Sequence, residues 1–327
     1  MTVESDNCHL HVRQFHTVAK PGINVTKTGG YWLGRFEAMA NPCEVLVDVE
    51  DRQLALKAIS VAAAEASRIE VKYSRYRKDS IVYEINNSDG ENCEVDAETA
   101  LLLDYAQQCF VLSDGAFDIT SGVLRRVWRF KGDEINKHPK VPTASQLRDL
   151  LDIIGWDKVQ WQSPYLRLLP GMEIDLGGIG KEYAVDRVAL LFSQLGIRSA
   201  VVNFGGDIVV TGPRRNGDAW GVAIESHHHR GVTEVIKLHK GAIATSGDTR
   251  RFLLQNGVRY GHILDPRSGF PAPGAPATVT VQGDTCLEVG MLATMAMLQG
   301  ENAELFLEQQ GVSYRICNNN VEAGESV

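Results

Sequence analysis

The chain has 327 residues, 44% hydrophobic and 23% charged, which suffices for one large domain or two closely packed ones with a full core. A net charge of −8 gives no general attraction to nucleic acid or to an anionic membrane, so a phosphate-bearing ligand would need loop amides and a few placed cations. No apolar run reaches the roughly 18 residues of a membrane-spanning helix.

Residues 1–34 are expected to be loosely ordered around the turn signal Thr28-Gly29-Gly30. The first twenty carry Glu4, Asp6, three histidines and Arg13 with no apolar core of a signal peptide, and Cys8 has no lipoprotein context, so a cytoplasmic location is expected. Cys43, Cys93, Cys109, Cys286 and Cys317 are scattered, with no Cys-x-x-Cys pair, and read as buried free thiols. Cys43–Val49 alternates like a strand, and Leu54, Ala58, Ile59, Ala62, Ala66 and Ile69 recur at helical spacing over 52–72. Asp96 with Glu98 opens another helix, and Thr143 with Gln146 forms a capping box for a short one ending at Gly155.

Met172–Leu176 reads as a strand, Gly177–Gly180 as a tight loop and Lys181–Leu195 as a helix closed by Gly196. Ser199–Phe204, Ile208–Thr211, Trp220–Glu225 and Val232–Leu238 read as strands joined by glycine-containing turns. A loop at 261–277, a strand at 278–282, a helix at 286–299 and a strand near 312–317 follow, before a frayed tail at 318–327. Runs of strands followed by helices favour an α+β fold over a doubly wound sheet. His227-His228-His229 reads as a solvated loop, and Trp128, Trp156, Met291, Met295 and Met297 as core.

Chemistry concentrates in Glu173-Ile174-Asp175-Leu176-Gly177-Gly178-Ile179-Gly180-Lys181-Glu182-Tyr183. A glycine loop opening a helix presents backbone N–H groups to an anion, and Lys181 adds a positive charge. The segment is neither a P-loop, since Glu182 follows Lys181, nor a dinucleotide fingerprint, since Tyr183 stands at its last position. Val202-Asn203-Phe204-Gly205-Gly206-Asp207 is a second glycine turn. Ala244-Thr245-Ser246-Gly247-Asp248 offers hydroxyls on a loop, and Gly261-His262-Ile263-Leu264-Asp265-Pro266-Arg267-Ser268-Gly269 is a polar loop with one histidine. Each alone is consistent with turn chemistry.

In this order, with Gly115-Ala116-Phe117-Asp118-Ile119-Thr120, Ala38-Met39-Ala40 and Ser74-Arg75-Tyr76, these segments resemble the ApbE family of FAD:protein FMN transferases over roughly residues 35–300. The resemblance implies an α+β domain over 35–317, with antiparallel or mixed sheets and packed helices. It implies a site in which Met39, Tyr76, Ala116, Phe117, Asp118, Asp175, Lys181 and Ile263, joined by the hydroxyls of Thr245 and Ser246, line FAD. The carbonyl of Gly178 and the side chain of Thr294 would help hold a magnesium ion, and His262 would act as general base on an acceptor hydroxyl. FMN would pass from FAD to a Ser or Thr of a partner protein, with release of AMP. A water nucleophile would make the same site an FAD pyrophosphatase, and loss of the metal would leave a non-catalytic flavin-binding or flavin-delivery protein.

Three positions depart from the family pattern. Gly290 stands where its Asp-Ala-Leu-Ala-Thr supplies a metal carboxylate, four residues before Thr294. Glycine inside a helix also costs about 1 kcal/mol against alanine. Glu182 replaces a glycine after Lys181; it either substitutes for the missing carboxylate or is an exposed residue favouring the helix N-terminus. Gly261 stands where many relatives have a second histidine.

Overall fold

Alternation along Ala200–Phe204 sends Ala200, Val202 and Phe204 into one apolar core and Val201 into another, so this strand is covered on both faces. The same division holds along Asn41–Val47 (Cys43, Val45 and Val47 against Leu46) and Gly241–Gly247 (Ala242 and Ala244 against Ile243). These strands belong to an eight-stranded sheet in the order Asn24–Thr28, Tyr31–Ala38, Asn41–Val47, Ala200–Phe204, Asp207–Val210, Gly241–Gly247, Thr278–Gly283 and Ser313–Cys317. Every neighbouring pair is antiparallel. This computed structural model describes residues 22–130, 140–225, 232–248 and 251–318.

Three helices cover one face: Arg52–Tyr73, Gly180–Gln194 and Cys286–Leu298. The first is capped by Asp51, whose carboxylate accepts from the Gln53 amide, and it buries an alanine-rich stripe with Ile59 and Ile69. The hairpin Trp220–Glu225/Val232–Leu238 covers the other face with Trp220, Val222 and Leu238. A separate small core gathers Trp128, Leu147, Leu150, Ile154 and Leu253. It unites the 3-10 turn Ile119–Arg126, the helix Ala144–Leu151 and the hairpin Phe252–Gln255/Val258–Gly261. The architecture is the expected α+β one. Among the described residues no helix is long and apolar enough to cross a membrane.

Local signals match closely. Asp96 caps Ala97–Leu112, Thr143 and Gln146 form a capping box, although the helix it opens ends at Leu151 and not at Gly155, and Gly196 closes the 180–194 helix at φ 73°. Trp128, Trp156, Met291, Met295 and Met297 are buried, as are the free thiols of Cys43, Cys93, Cys109 and Cys286.

Several expectations need correction. Residues 24–28 and 31–34 are strands rather than a loose lead, joined by the expected turn at Gly29–Gly30; the polar Asn24–Thr28 lies at the sheet edge, where a solvated face leaves no apolar alternation to read. Residues 172–176 form no strand. The Asn86 side chain takes the place of a strand neighbour, its Oδ1 accepting from the Ile174 amide and its Nδ2 donating to the Ile174 carbonyl. Ala244–Gly247 is not a loop but the end of the strand Gly241–Gly247. Residues 1–21, the triplet His227–His229 and the tail 319–327 lie outside the described residues.

Glu98 ties three helices together. It accepts hydrogen bonds from Arg68, Lys72 and Tyr183, which overcome the upward push of burial and hold its carboxyl down at about 2. A folded value below the unfolded one, near 4.3, means that this stabilisation is full above the unfolded value and fades as pH falls toward 2. Glu98→Gln is therefore expected to cost about 1–3 kcal/mol at pH 7 and progressively less from pH 4 to pH 2. Thermal melts of both proteins across that window check it, and a gap that does not narrow in acid would sink the assignment.

Candidate functional site

Two hairpin turns mark one end of the sheet. Met39 and Ala40 join their strands at φ 53° and 56°, a left-handed pair without glycine, steadied by Asn41 Nδ2 donating to the Met39 carbonyl at 2.7 Å. Such strained non-glycine turns cluster at functional sites. Next to it, Gly205 and Gly206 (φ 66° and 105°) turn between Phe204 and Asp207. A Cβ on Gly205 would come within 2.9 Å of Asn41, so only glycine lets the two turns pack.

The glycine loop 177–180 opens the helix Gly180–Gln194. Its amides are less free than expected: Gly177 N–H donates to Asp175 Oδ1, and the Ile179 and Gly180 amides both donate to the Leu176 carbonyl. Among the described residues the Gly178 and Lys181 amides and the Gly178 carbonyl have no such partner, and Gly178 is exposed. These three groups are what the loop can offer a ligand.

Lys181 does not project freely. Its ammonium pairs with Asp207, the first residue after the Gly205–Gly206 turn, and only 22% of its side chain is exposed against 3% for Asp207. Burial would lower the lysine, but Asp207 and Glu182 keep it charged. Glu182 is buried rather than exposed, which removes the surface-residue reading. Burial pushes its carboxyl up to about 8, with Asp207 pushing in the same direction and Lys181 opposing. Asp207, also raised by burial, is the residue sequence reasoning passed over; its signal was an acid heading the apolar strand Asp207-Ile208-Val209-Val210.

Glu182 reaches across to the helix Cys286–Leu298. A Cβ on Gly290 would lie 2.6 Å from Glu182 Cγ, so the glutamate side chain fills the space above that glycine. One turn further on, Thr294 Oγ1 lies 2.8 Å from Ser246 Oγ. Thr245 is not brought to this group. Successive strand residues point to opposite faces, and the Thr245 hydroxyl sits 2.8 Å from that of Thr280.

On the other side of the loop, Phe117 lies against Gly178, its ring 3.8 Å from where a Cβ would be. Asp175 is ion-paired with Arg75 at 3.1 Å, and Arg75 also donates to the Gly122 carbonyl. The neighbouring Tyr76 is 79% exposed with the Arg75 guanidinium 5.4 Å from its ring centroid, which leaves a ring face able to stack on a planar ligand. Ala116 is buried, and the Asp118 carboxylate is committed to the protein: it accepts from the Thr120 amide and hydroxyl and from the Trp156 amide. These bonds tie the turn that carries Ala116 and Phe117 to Thr120 and Trp156.

His262 follows the strand Val258–Gly261, and Ile263 packs on the main core. The His262 Nδ1 is 3.2 Å from the Arg251 carbonyl, which can only accept, so Nδ1 carries the hydrogen and Nε2 the lone pair of the neutral ring. Phe130 meets the ring edge-on, and Trp128 behind it donates to the Gly269 carbonyl. These two aromatics prop the histidine loop, a role invisible in the sequence. Gly261 packs on Asp248, 2.7 Å from where a Cβ would be, so a second histidine here would displace that acid.

A glycine-opened helix with a buried lysine, the Ser246–Thr294 hydroxyls across from it and Phe117 against its loop give this α+β protein groups suited to a phosphate-bearing ligand. The chain belongs to the ApbE family, whose model matches residues 39–316. It is 37% identical over 232 residues to the FAD:protein FMN transferase of Vibrio cholerae serotype O1, covering 70% of this chain and 69% of that protein. It is 33% identical over 248 residues to the FAD:protein FMN transferase of Haemophilus influenzae, covering 72% and 71%. The crystal structure of the ApbE protein from Thermotoga maritima superposes with a TM-score of 0.79 at 30% identity, over 88% of this chain and 94% of that one.

Proposed function

We propose that this chain is an FAD:protein FMN transferase that moves FMN from FAD to a Ser or Thr hydroxyl of an acceptor protein. The observation that carries this reading is the placement of Lys181 and the exposed Gly178 loop at a helix N-terminus beside the Met39–Ala40 and Gly205–Gly206 turns. There the Gly178 and Lys181 amides and the lysine charge face a pyrophosphate, while Tyr76 and Phe117 offer aromatic surface to its ring systems. His262 Nε2 takes the proton of the acceptor hydroxyl. The oxygen then forms a bond to the FMN phosphorus, and the bond from that phosphorus to the bridging oxygen breaks. AMP leaves with the electron pair, its charge met by Lys181.

Magnesium takes hard oxygen donors. Among the described residues no three His, Cys, Asp or Glu side chains form a metal cluster, but the Gly178 carbonyl and the Thr294 hydroxyl are hard oxygen donors of the kind this ion takes. These two would hold it, and when bound it supplies positive charge to the pyrophosphate. A cytoplasmic setting goes with this proposal, since free cysteines would remain reduced there.

FAD is expected to bind more tightly than FMN in calorimetry, because the loop and Lys181 act on the pyrophosphate; equal affinities would remove that argument. With magnesium and an acceptor, AMP should appear in step with flavin fluorescence that stays on the acceptor after denaturation. AMP without attached flavin would favour the FAD pyrophosphatase reading, and neither product would leave a flavin-binding protein.

A further inference from the structure

We propose that Glu182 supplies the carboxylate for a divalent cation on the FAD pyrophosphate, and that residue 290 is glycine because the Glu182 side chain occupies its place. The proposal rests on the flavin reading above. Gly290 on the helix Cys286–Leu298, where the sequence resemblance would put a metal aspartate, carries no side chain, and the space over it is filled from the neighbouring helix Gly180–Gln194. A Cβ at 290 would meet Glu182 Cγ at 2.6 Å and its Cδ and Oε1 at 3.3 Å. Glu182 thus lies over the helix position one turn before Thr294, on the face that carries the threonine.

Three further observations give the carboxylate a ligand's character. Glu182 is 7% exposed, and its carboxyl lies within hydrogen-bond reach of the equally buried Asp207 carboxyl. Two buried carboxyls brought together repel each other once ionised, and a divalent cation is one way to offset that charge. The Gly178 carbonyl, four residues earlier at the mouth of the same helix, is likewise without a backbone donor among the described residues. Finally, glutamate is one methylene longer than aspartate, which suits a carboxylate delivered from the neighbouring helix rather than from residue 290 itself.

This arrangement makes the two positions interchangeable as a pair and not singly. Gly290→Asp alone is crowded against Glu182 and should gain no cation affinity. The test measures Mn2+ binding by electron paramagnetic resonance in the presence of FAD, with FAD binding and thermal melts recorded for every variant. Glu182→Gln, close to the native volume, should keep the fold and still bind FAD without metal, while weakening Mn2+ in the FAD complex by at least about tenfold. Glu182→Gly/Gly290→Asp should recover most of the wild-type Mn2+ affinity, a non-additivity expected of two routes to one ligand position. Unchanged Mn2+ affinity in a folded, FAD-binding Glu182→Gln would overturn the proposal while leaving the flavin reading intact. So would a folded, FAD-binding double variant that takes up no Mn2+. A wild type that binds no FAD would bring down the flavin reading and this inference with it.

Discussion

Lys181→Ala is expected to destabilise the folded protein by about 3–5 kcal/mol at neutral pH, far more than an exposed lysine would. The ammonium is the counter-charge of Asp207, whose side chain is 3% exposed, and it lies beside the buried Glu182. Removing one member of a buried pair leaves the other charge without compensation, and here two carboxylates would face each other across the gap. Their response is to keep protons. Both already have folded values raised by burial, and loss of the lysine raises them further. A carboxyl with a raised folded value adds stability below its unfolded value and loses it as pH climbs toward the folded one, so the deficit of Lys181→Ala should grow from about pH 4 to above pH 8. Lys181→Ala/Asp207→Asn should recover part of the loss, because the orphaned charge goes with its partner. Denaturant titrations at pH 5 and pH 8 measure this. A single variant as stable as the wild type at both would mean that the pair carries no weight. FAD affinity should fall as well, by about 1–3 kcal/mol, the range for hydrogen bonds to charged groups.

The second large effect is on rate. His262→Ala should lower AMP-coupled transfer by about 10²-fold or more while leaving FAD affinity nearly unchanged. The geometry behind this is the bond to the Arg251 carbonyl, which fixes Nδ1 as the hydrogen-bearing nitrogen and leaves Nε2 as the basic one. Phe130 meets the ring edge-on and Trp128 stacks on Phe130, which props the ring orientation. Single-turnover measurements beside binding isotherms separate the two quantities. A parallel loss of binding and rate would assign His262 to ordering its loop instead.

Much of the protein was legible before folding was considered. Asp96, Thr143 with Gln146, and Gly196 mark helix ends because capping is decided by atoms within a few residues of one another. The alternation at Ala200–Phe204 and the helical stripe from Leu54 to Ile69 name their own buried faces. The ordered motifs identify the family, since glycine turns and the histidine loop are short-range features whose residues travel together. What the sequence could not decide depended on what lies across a gap. Residues 172–176 have the composition of a strand but form none, because Asn86, 88 positions away from Ile174, takes the place of a pairing partner. Thr245 and Ser246 are adjacent in sequence, yet the pleat sends them to opposite faces, one to Thr280 and the other to Thr294. Glu182 reads either as a surface acid at a helix start or as a stand-in for the missing carboxylate. Only the packing of the 180–194 helix against 286–298 shows it buried over Gly290, because burial belongs to the neighbour a side chain meets and not to the residue itself.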